Sequence, residues 1–368
     1  MRIFYDHQVF SLQNAGGVSR YHYELMRQLA SDPGVQQELF LGMHRTQLPF
    51  AALAAGNVRV VGHESSLDPG GRRYVINEAL ANAYAVTRGK FDIYHPTHHR
   101  YMPLVRSRKM VITHYDCTHE KFPAEFRYLD RVLRGKRALF DRADAIICIS
   151  EASRQDLLHF YEVDPAKTHV IHLGFTRLKR SAQDADDIKQ KVRRDYVLYV
   201  GSRAIYKNFC GFLRAFRDTR LQEDLDLVVL GGGPFSATEA AVVAELGLSE
   251  KIVTIPTVTD GLLAEAYAGA RLLAYPSLSE GFGLPPLEAM FLGCPVLACH
   301  ASSIPEVCGD APFYFAPDSE DALRVALLQA VHDEAARARA IERGRTVASQ
   351  YSWEQCAEQT LALYRDIS

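Results

Sequence analysis

The sequence lacks the marks of a secreted, metal-bound or membrane-spanning protein. Its seven cysteines (Cys117, Cys148, Cys210, Cys294, Cys299, Cys308 and Cys356) are odd in number and include no Cys-x-x-Cys pair. That spacing argues against a disulfide framework or a thiolate metal site and fits reduced thiols in the cytoplasm. No charged and apolar leader precedes Arg2-Ile3-Phe4-Tyr5, so no secretory signal is expected. Long hydrophobic runs are missing too. The longest uncharged stretch, residues 289–305, contains Gly293, Pro295, His300 and two serines, which does not suit a membrane span. Basic and acidic side chains nearly balance, 42 against 44, so a nucleic-acid-binding protein is not indicated. Neither the Gly-x-Gly-x-x-Gly dinucleotide fingerprint nor a Walker loop is found at the glycine pair near the start of the chain.

What is present is an average globular mix: 368 residues, 48% hydrophobic and 23% charged. That composition excludes collagen, coiled coil and extensive disorder, and the length suggests two domains. Charge is unevenly spread. Residues 1–180 carry 25 basic and 18 acidic side chains, and the remainder 17 and 26. All 14 histidines except His300 and His332 lie in the first half. The first half could thus face an anionic partner, a phosphate-bearing substrate or an anionic membrane; drift of surface charge without function is the alternative.

Short β-branched runs alternate with helical patterns. Met110-Val111-Ile112-Thr113, Ala145-Ile146-Ile147-Cys148-Ile149, Val197-Leu198-Tyr199-Val200 and residues 225–230 read as strands buried on both faces of parallel sheets. Ser150 is placed to cap the helix that follows it. The alternation predicts an α/β chain of two Rossmann-like, doubly wound domains. A polar stretch from Ser181 to Asp187 predicts a linker between about Phe175 and Arg194.

Three segments concentrate the chemistry. Glu280-Gly281-Phe282-Gly283-Leu284-Pro285-Pro286-Leu287-Glu288 follows the apolar run Leu272-Leu273-Ala274-Tyr275, and therefore lies at the carboxyl end of a strand, where open parallel sheets bind ligands. Its glycines permit close approach, its prolines suit a first helical turn, and the amides there suit an anion. Glu280 and Glu288 can accept hydroxyl hydrogen bonds from a sugar or ribose. In Gly201-Ser202-Arg203-Ala204-Ile205-Tyr206-Lys207, Arg203 and Lys207 are two cations able to neutralise a diphosphate. Gly16-Gly17 opens a helical run and can admit a phosphate or sugar closely. Each signal alone fits an ordinary turn, a solvated face or a structural pair; their joint order is what is specific.

That order resembles retaining glycosyltransferase family 4. The resemblance spans nearly the whole chain. Besides the segments above, it takes in Ile149-Ser150-Glu151-Ala152-Ser153, Val170-Ile171-His172-Leu173-Gly174, Gly293-Cys294-Pro295-Val296, Ser303-Ile304-Pro305-Glu306-Val307 and Tyr351-Ser352-Trp353-Glu354. It implies the GT-B fold, two Rossmann-like domains facing across a cleft. Residues 1–178 would bind the acceptor, with a C-terminal helix 353–368 packing back on them, and residues 179–352 would bind the nucleotide sugar. By the same resemblance Arg203 and Lys207 would hold the diphosphate, Glu288 the ribose and Glu280 the donor sugar. Phe282, Gly283 and Leu284 would offer amides to the donor, and Gly17 would approach its phosphate. Transfer would retain the anomeric configuration and need no metal or other cofactor.

One segment departs from the pattern. Many relatives carry His-Asp after a first-domain strand, whereas this chain has His114-Tyr115-Asp116, with His119-Glu120 following, a form found in a subset of relatives. Asp116 remains a candidate catalytic residue beside Glu280, Lys207 and Arg203. His114, Tyr115 and His119 are candidates for the acceptor or sugar vicinity, and whether His114 or His119 enters the site stays open. His95-Pro96-Thr97-His98-His99 has metal-like spacing without a supporting carboxylate or cysteine cluster; a loop lining the acceptor cleft is the other reading. Residues 126–142 form a basic amphipathic pattern, either a core helix with a solvated face or a contact with an anionic membrane. Gly231-Gly232-Gly233-Pro234 is either a turn or a wall of the nucleotide pocket.

The expected activity is transfer of a hexose, first of all mannose, from a nucleotide diphosphate sugar to a glycan or lipid-linked acceptor in polysaccharide or lipopolysaccharide assembly. A nucleotide-sugar epimerase, a phosphorylase and a non-catalytic nucleotide-sugar-binding scaffold are the rivals.

Overall fold

The computed structural model describes residues 1–14, 16–66, 71–100, 102, 104–192, 194–256 and 258–368. Two compact units are present. Met1–Gly174 and Ser352–Ser368 make the first, and Phe175–Tyr351 the second. The divide at Gly174 falls just ahead of the 178/179 boundary read from the sequence.

The first unit is built on strands β1 (Arg2–Tyr5), β2 (Gln36–His44), β3 (Val58–Glu64), β4 (Lys90–His95), β5 (Arg106–His114), β6 (Ala145–Cys148) and β7 (Thr168–Val170). Their order is β3-β2-β1-β4-β5-β6-β7, every pairing parallel, with Tyr5 opposite both Leu39 and His95. The second unit has β8 (Tyr196–Val200), β9 (Asp226–Leu230), β10 (Ile252–Ile255), β11 (Leu272–Tyr275), β12 (Val296–Cys299) and β13 (Phe313–Phe315). The order there is β10-β9-β8-β11-β12-β13, again all parallel. Strands covered by helices on both faces need apolar side chains on both, and β6, β11 and β12 are buried at every position. In each sheet the order reverses once, between β1 and β4 and between β8 and β11. Loops leaving the carboxyl ends of those two strands part there and leave a crevice.

Helix starts follow local chemistry. Ser150 Oγ accepts the Ser153 amide at 3.0 Å and caps Glu151–Phe160, as its sequence position predicts. Ser236 and Glu239 form a reciprocal capping box on Ala237–Glu245. The polar stretch after Ser181 is not the irregular linker its composition suggests. Ala182–Lys191 is a helix of the second unit, with Ile188 buried, packed on helix Asp260–Gly269. Glu265 ties down its entry, accepting from the Arg180 guanidinium at 2.9 and 3.0 Å and from the Ser181 amide at 3.0 Å.

The final helix, Trp353–Ile367, packs on helix Gly17–Leu29 of the first unit. A buried polar chain fastens it. His95 Nδ1 shares a 2.5 Å hydrogen bond with the Tyr364 hydroxyl, and His95 Nε2 a 2.9 Å bond with Thr113 Oγ1. Thr113 also pairs with the Tyr21 hydroxyl at 3.0 Å, and the Tyr115 hydroxyl pairs with His22 Nε2 at 2.8 Å. Burial lowers His95 to a pKa of about 3; burial and the neighbouring His95 and His98 push His22 well below its ordinary value. Both rings are neutral in the native protein, whereas in the unfolded chain each takes up a proton below about pH 6.5. Their share of the stability is therefore complete above that pH and is lost as pH falls toward about 3. Each depressed histidine should steepen the loss by about 1.4 kcal/mol per pH unit. Urea unfolding followed by the fluorescence of Trp353, the single tryptophan, should thus show the gap between wild type and His95→Gln narrowing by that slope below pH 6.5. A gap independent of pH would mean that His95 is not held neutral.

Candidate functional site

The reversal point of the second sheet brings two of the three chemical segments together. After β8 the chain passes Gly201, makes a short 3-10 turn at Ile205–Lys207 and enters helix Phe209–Asp218 through left-handed Asn208. After β11 it runs through Glu280 into helix Leu284–Phe291. Because β8 and β11 are neighbours, paired through Leu198 and Leu273, their loops meet. Lys207 Nζ lies 2.6 Å from Glu280 Oε1, with side-chain exposures of 19% and 11%. The ammonium also lies over the rings of Tyr206 and Tyr275, at 5.3 and 5.8 Å. Burial, with the Glu280 carboxylate beside it, drives the Tyr275 hydroxyl well above its ordinary pKa, so it stays a hydrogen-bond donor.

The Glu280 loop is held in shape by serines to which sequence reasoning gave no role. Ser302 Oγ donates to the Glu280 carbonyl at 2.6 Å and accepts its amide at 3.2 Å. Ser303 Oγ lies 3.0 and 3.1 Å from the carbonyls of Glu280 and Phe282. Phe282 is buried edge-on against Tyr351. Gly283 has a φ of 109°, and a β-carbon there would stand 2.7 Å from Ile304 Cδ1, so glycine is required before the helix. Leu284, Pro285 and Pro286 form the first turn, as the sequence predicts. Glu288 lies one turn on and accepts the Tyr267 hydroxyl at 3.3 Å.

Arg203 is placed differently from Lys207. Its side chain is only 3% exposed. Nε donates to Glu239 at 2.9 Å, and the two terminal nitrogens donate to the carbonyls of Gly231, Gly232, Gly233 and Pro234 at 2.9–3.2 Å. The three glycines all have positive φ, and a β-carbon on Gly232 would lie 2.4 Å from the guanidinium. The Gly231–Gly233 loop is thus the cradle of Arg203, and the two cations four residues apart face different partners.

In the first unit the candidates cluster after β5, but not on one surface. His114 is buried, its Nε2 3.6 Å from Cys117 Sγ, and burial with the nearby Lys136 lowers it to a pKa of about 3. Tyr115 is buried against His22. His119 lines a cavity of about 640 Å³ and lies tilted against the Phe126 ring, centroids 4.2 Å apart. Burial opposes ionisation of Asp116, but the Lys136 ammonium and the Thr118 amide and hydroxyl outweigh it and hold the carboxyl below its usual range. The Thr118 amide donates to it at 2.9 Å. Lys136 is itself buried, bound to Glu120 at 3.0 Å and to the Asp116 carbonyl at 3.0 Å. Gly17 is exposed at the start of its helix.

The histidines of residues 95–99 do not converge on a metal. His95 is spent in the core, and the rings of His98 and His99 lie tilted against each other, centroids 4.2 Å apart. Among the described residues no group of three or more His, Cys, Asp or Glu side chains could hold a metal ion, and no helix is long and apolar enough to cross a membrane. A buried polar network that the sequence did not reveal centres on Asp6, just after β1. Its buried carboxylate accepts from the Gln8 side chain at 2.7 Å, the Thr97 hydroxyl at 2.7 Å and the Tyr94 hydroxyl at 2.7 Å. An acidic residue ending an apolar strand was the only available signal.

Residues 182–347 match the family described as "Glycosyl transferases group 1", and residues 15–176 match "Glycosyltransferase Family 4". The chain is 30% identical over 370 residues to the O-antigen chain mannosyltransferase B of Escherichia coli, covering 95% of this chain and 96% of that protein. Among solved structures, the sucrose-phosphate synthase of Thermosynechococcus elongatus superposes with a TM-score of 0.78 at 19% identity, covering 100% of this chain and 98% of that one. The Anabaena protein HepE in complex with UDP and glucose gives 0.76 at 18% identity, over 100% of both chains. The chain belongs to glycosyltransferase family 4 and has the GT-B fold.

Proposed function

We propose that the protein is a retaining, metal-independent hexosyltransferase of the cytoplasm that moves mannose from a nucleotide diphosphate sugar to a glycan or lipid-linked acceptor in polysaccharide or lipopolysaccharide assembly. The observation that carries the reading is the Lys207–Glu280 pair at the reversal point of the second sheet, beside the start of helix Leu284–Phe291. The likeness to an O-antigen chain mannosyltransferase favours mannose as the sugar.

In this reading the second unit holds the donor. Lys207 passes from Glu280 to the diphosphate, and the released Glu280 carboxylate accepts hydroxyls of the sugar. Amides of Phe282, Gly283 and Leu284 meet the phosphate at the helix start, and Glu288 takes the ribose. Arg203 holds the Gly231–Gly233 loop against that pocket. Bond cleavage between the anomeric carbon and the diphosphate oxygen leaves negative charge beside Lys207, which stabilises it. The acceptor oxygen bonds to the same face of that carbon, and its proton goes to the departing diphosphate. Asp116, kept ionised, is the first-unit carboxylate suited to an acceptor hydroxyl, with His119 near it. Arg134, Arg137 and Arg142 on helix Leu129–Arg142 would meet an anionic membrane.

Turnover with GDP-mannose should fall about 100-fold or more in Lys207→Ala, with the far-ultraviolet dichroism of the wild type retained. Normal turnover would remove Lys207 from the site. Exhaustive chelation should leave wild-type activity intact; loss of activity restored by one divalent metal would overturn the metal-independent reading. Proton NMR of the product should show the anomeric configuration of the donor, and the opposite configuration would exclude retention.

A further inference from the structure

Helix Gly71–Arg88 of the first unit is inverted. Its inner side buries Arg73, Tyr74 and Asn77. Arg73 donates to the Ser11 carbonyl at 3.0 Å. Asn77 donates to the Ser11 hydroxyl at 2.8 Å and to the Met43 carbonyl at 2.9 Å, and accepts the Met43 amide at 2.8 Å. These bonds fix which side of the helix turns outward. That side carries Val75, Ile76, Ala79, Leu80, Ala83 and Val86, all of them exposed. A surface helix ordinarily presents charged and polar residues there.

The apolar face is large enough for a stable contact. Val75 is 65% exposed, Val86 55% and Leu80 48%. Leu104, 49% exposed, extends the face, because its amide donates to Asn82 Oδ1 on the same helix at 3.4 Å. With Ile76 these side chains leave open on the order of 500 Å² of apolar surface, which matches the apolar part of the roughly 800 Å² that one partner contributes to a standard interface. At its amino end the face borders a cavity of about 480 Å³, lined by Arg100, Arg127, Arg131 and Tyr128 as well as Val75. Beyond Val75 the helix does not line that cavity.

The order of side chains suits a second copy of the same helix. Ile76, Ala79, Ala83 and Val86 recur at intervals of three, four and three residues, the spacing of a seam between two helices. Such a seam reads the same in both directions. Two copies laid antiparallel about a two-fold axis set Ala79 of one against Ala83 of the other, and Ile76 against Val86. The alanines let the backbones approach, while Val75 and Leu80 close the two sides. A membrane surface fits less well. No lysine or arginine occurs between Arg73 and Arg88, so the face lacks the cations that hold a helix on anionic lipid. Helix Leu129–Arg142 carries such cations instead.

We infer that the outer face of helix Gly71–Arg88 is a dimer interface, and that its partner is a second copy of this chain packed antiparallel through the same helix. Sedimentation equilibrium of the full chain, without detergent, tests it. Wild type should reach twice the chain mass of 41.2 kDa as its concentration rises to about 100 μM, where a specific interface is occupied. Ile76→Glu/Ala83→Glu places two charges on the seam and should stay at the single-chain mass. Glutamate is a good helix former, so the far-ultraviolet dichroism and the urea midpoint of this variant should match wild type at low concentration. Val75→Ser/Leu80→Ser, at the flanks, should weaken association about tenfold or more. A wild type that stays at 41.2 kDa throughout overturns the interface. So does a dimer that survives in the glutamate variant, or association unchanged in the serine variant. Flotation with phosphatidylcholine vesicles covers the rival occupant. A chain that is monomeric in solution, floats with the vesicles and loses that binding in the glutamate variant has a lipid-facing helix, and the proposal fails.

Discussion

Every strand pairing in both sheets is parallel. Parallel neighbours cannot be joined by a hairpin, so each connection crosses a face of the sheet and returns the chain to the same edge. The carboxyl ends of all strands therefore collect along one edge, and only where the strand order reverses do adjacent loops part. That requirement places Lys207 and Glu280, distant in sequence, 2.6 Å apart after β8 and β11. It places Asp6 and Thr97 together after β1 and β4 in the same way. The two units share an architecture, and each presents its polar groups at the equivalent place. What differs is the charge gathered there: a cation paired with a carboxylate in the second unit, and in the cavity of the first arginines with no carboxylate among the described residues that line it.

The second-unit cations divide their tasks by environment. Arg203 is enclosed, and Glu239 and the Gly231–Pro234 carbonyls accept the hydrogen bonds of its guanidinium donors there. It fixes a run of positive-φ glycines that has no side chains of its own to hold it. Lys207 is half-open and carries a single compact charge against one carboxylate. Such a pair needs little rearrangement to trade a carboxylate for a phosphate, since the ammonium keeps an anion beside it before and after. Ser302 and Ser303 bind the main chain of the Glu280 loop rather than its carboxylate, so the backbone can stay fixed while the Glu280 side chain changes partner.

The strands, the Ser150 cap, the proline-started helix and the carboxyl-edge position of Glu280 were all legible in the sequence, because each depends on local pattern: apolar runs, a capping serine, a required glycine. The helix Ala182–Lys191 was not. Its acidic, polar composition looks like a linker, and what makes it ordered is the distant Glu265 holding Arg180 and Ser181. The fates of Arg203 and of His114 and Tyr115 were hidden for the same reason. Four-residue spacing says nothing about Glu239, 36 residues away, and a His-Tyr-Asp string does not show that His22 draws Tyr115 into the core. Asp6 had no motif at all, since its meaning lies wholly in the neighbours that β4 brings to it.

Local rules are broken at two places in the first unit, and the breaks adjoin. Helix Gly71–Arg88 buries an arginine and an asparagine while showing valine, isoleucine and leucine outward. Tyr128 takes a backbone conformation suited to glycine or asparagine. Folding alone would favour the reverse choice at both. Sequences that keep such conflicts do so where another demand acts on the same residues. The buried Arg73 and Asn77 explain half of the helix's inversion, because they anchor it to the Ser11 turn and to Met43 on β2. They do not explain why the outer face is apolar, since lysine or glutamate there would leave those anchors intact. The outer face and the Tyr128 turn both border the cavity that Arg100, Arg127 and Arg131 line.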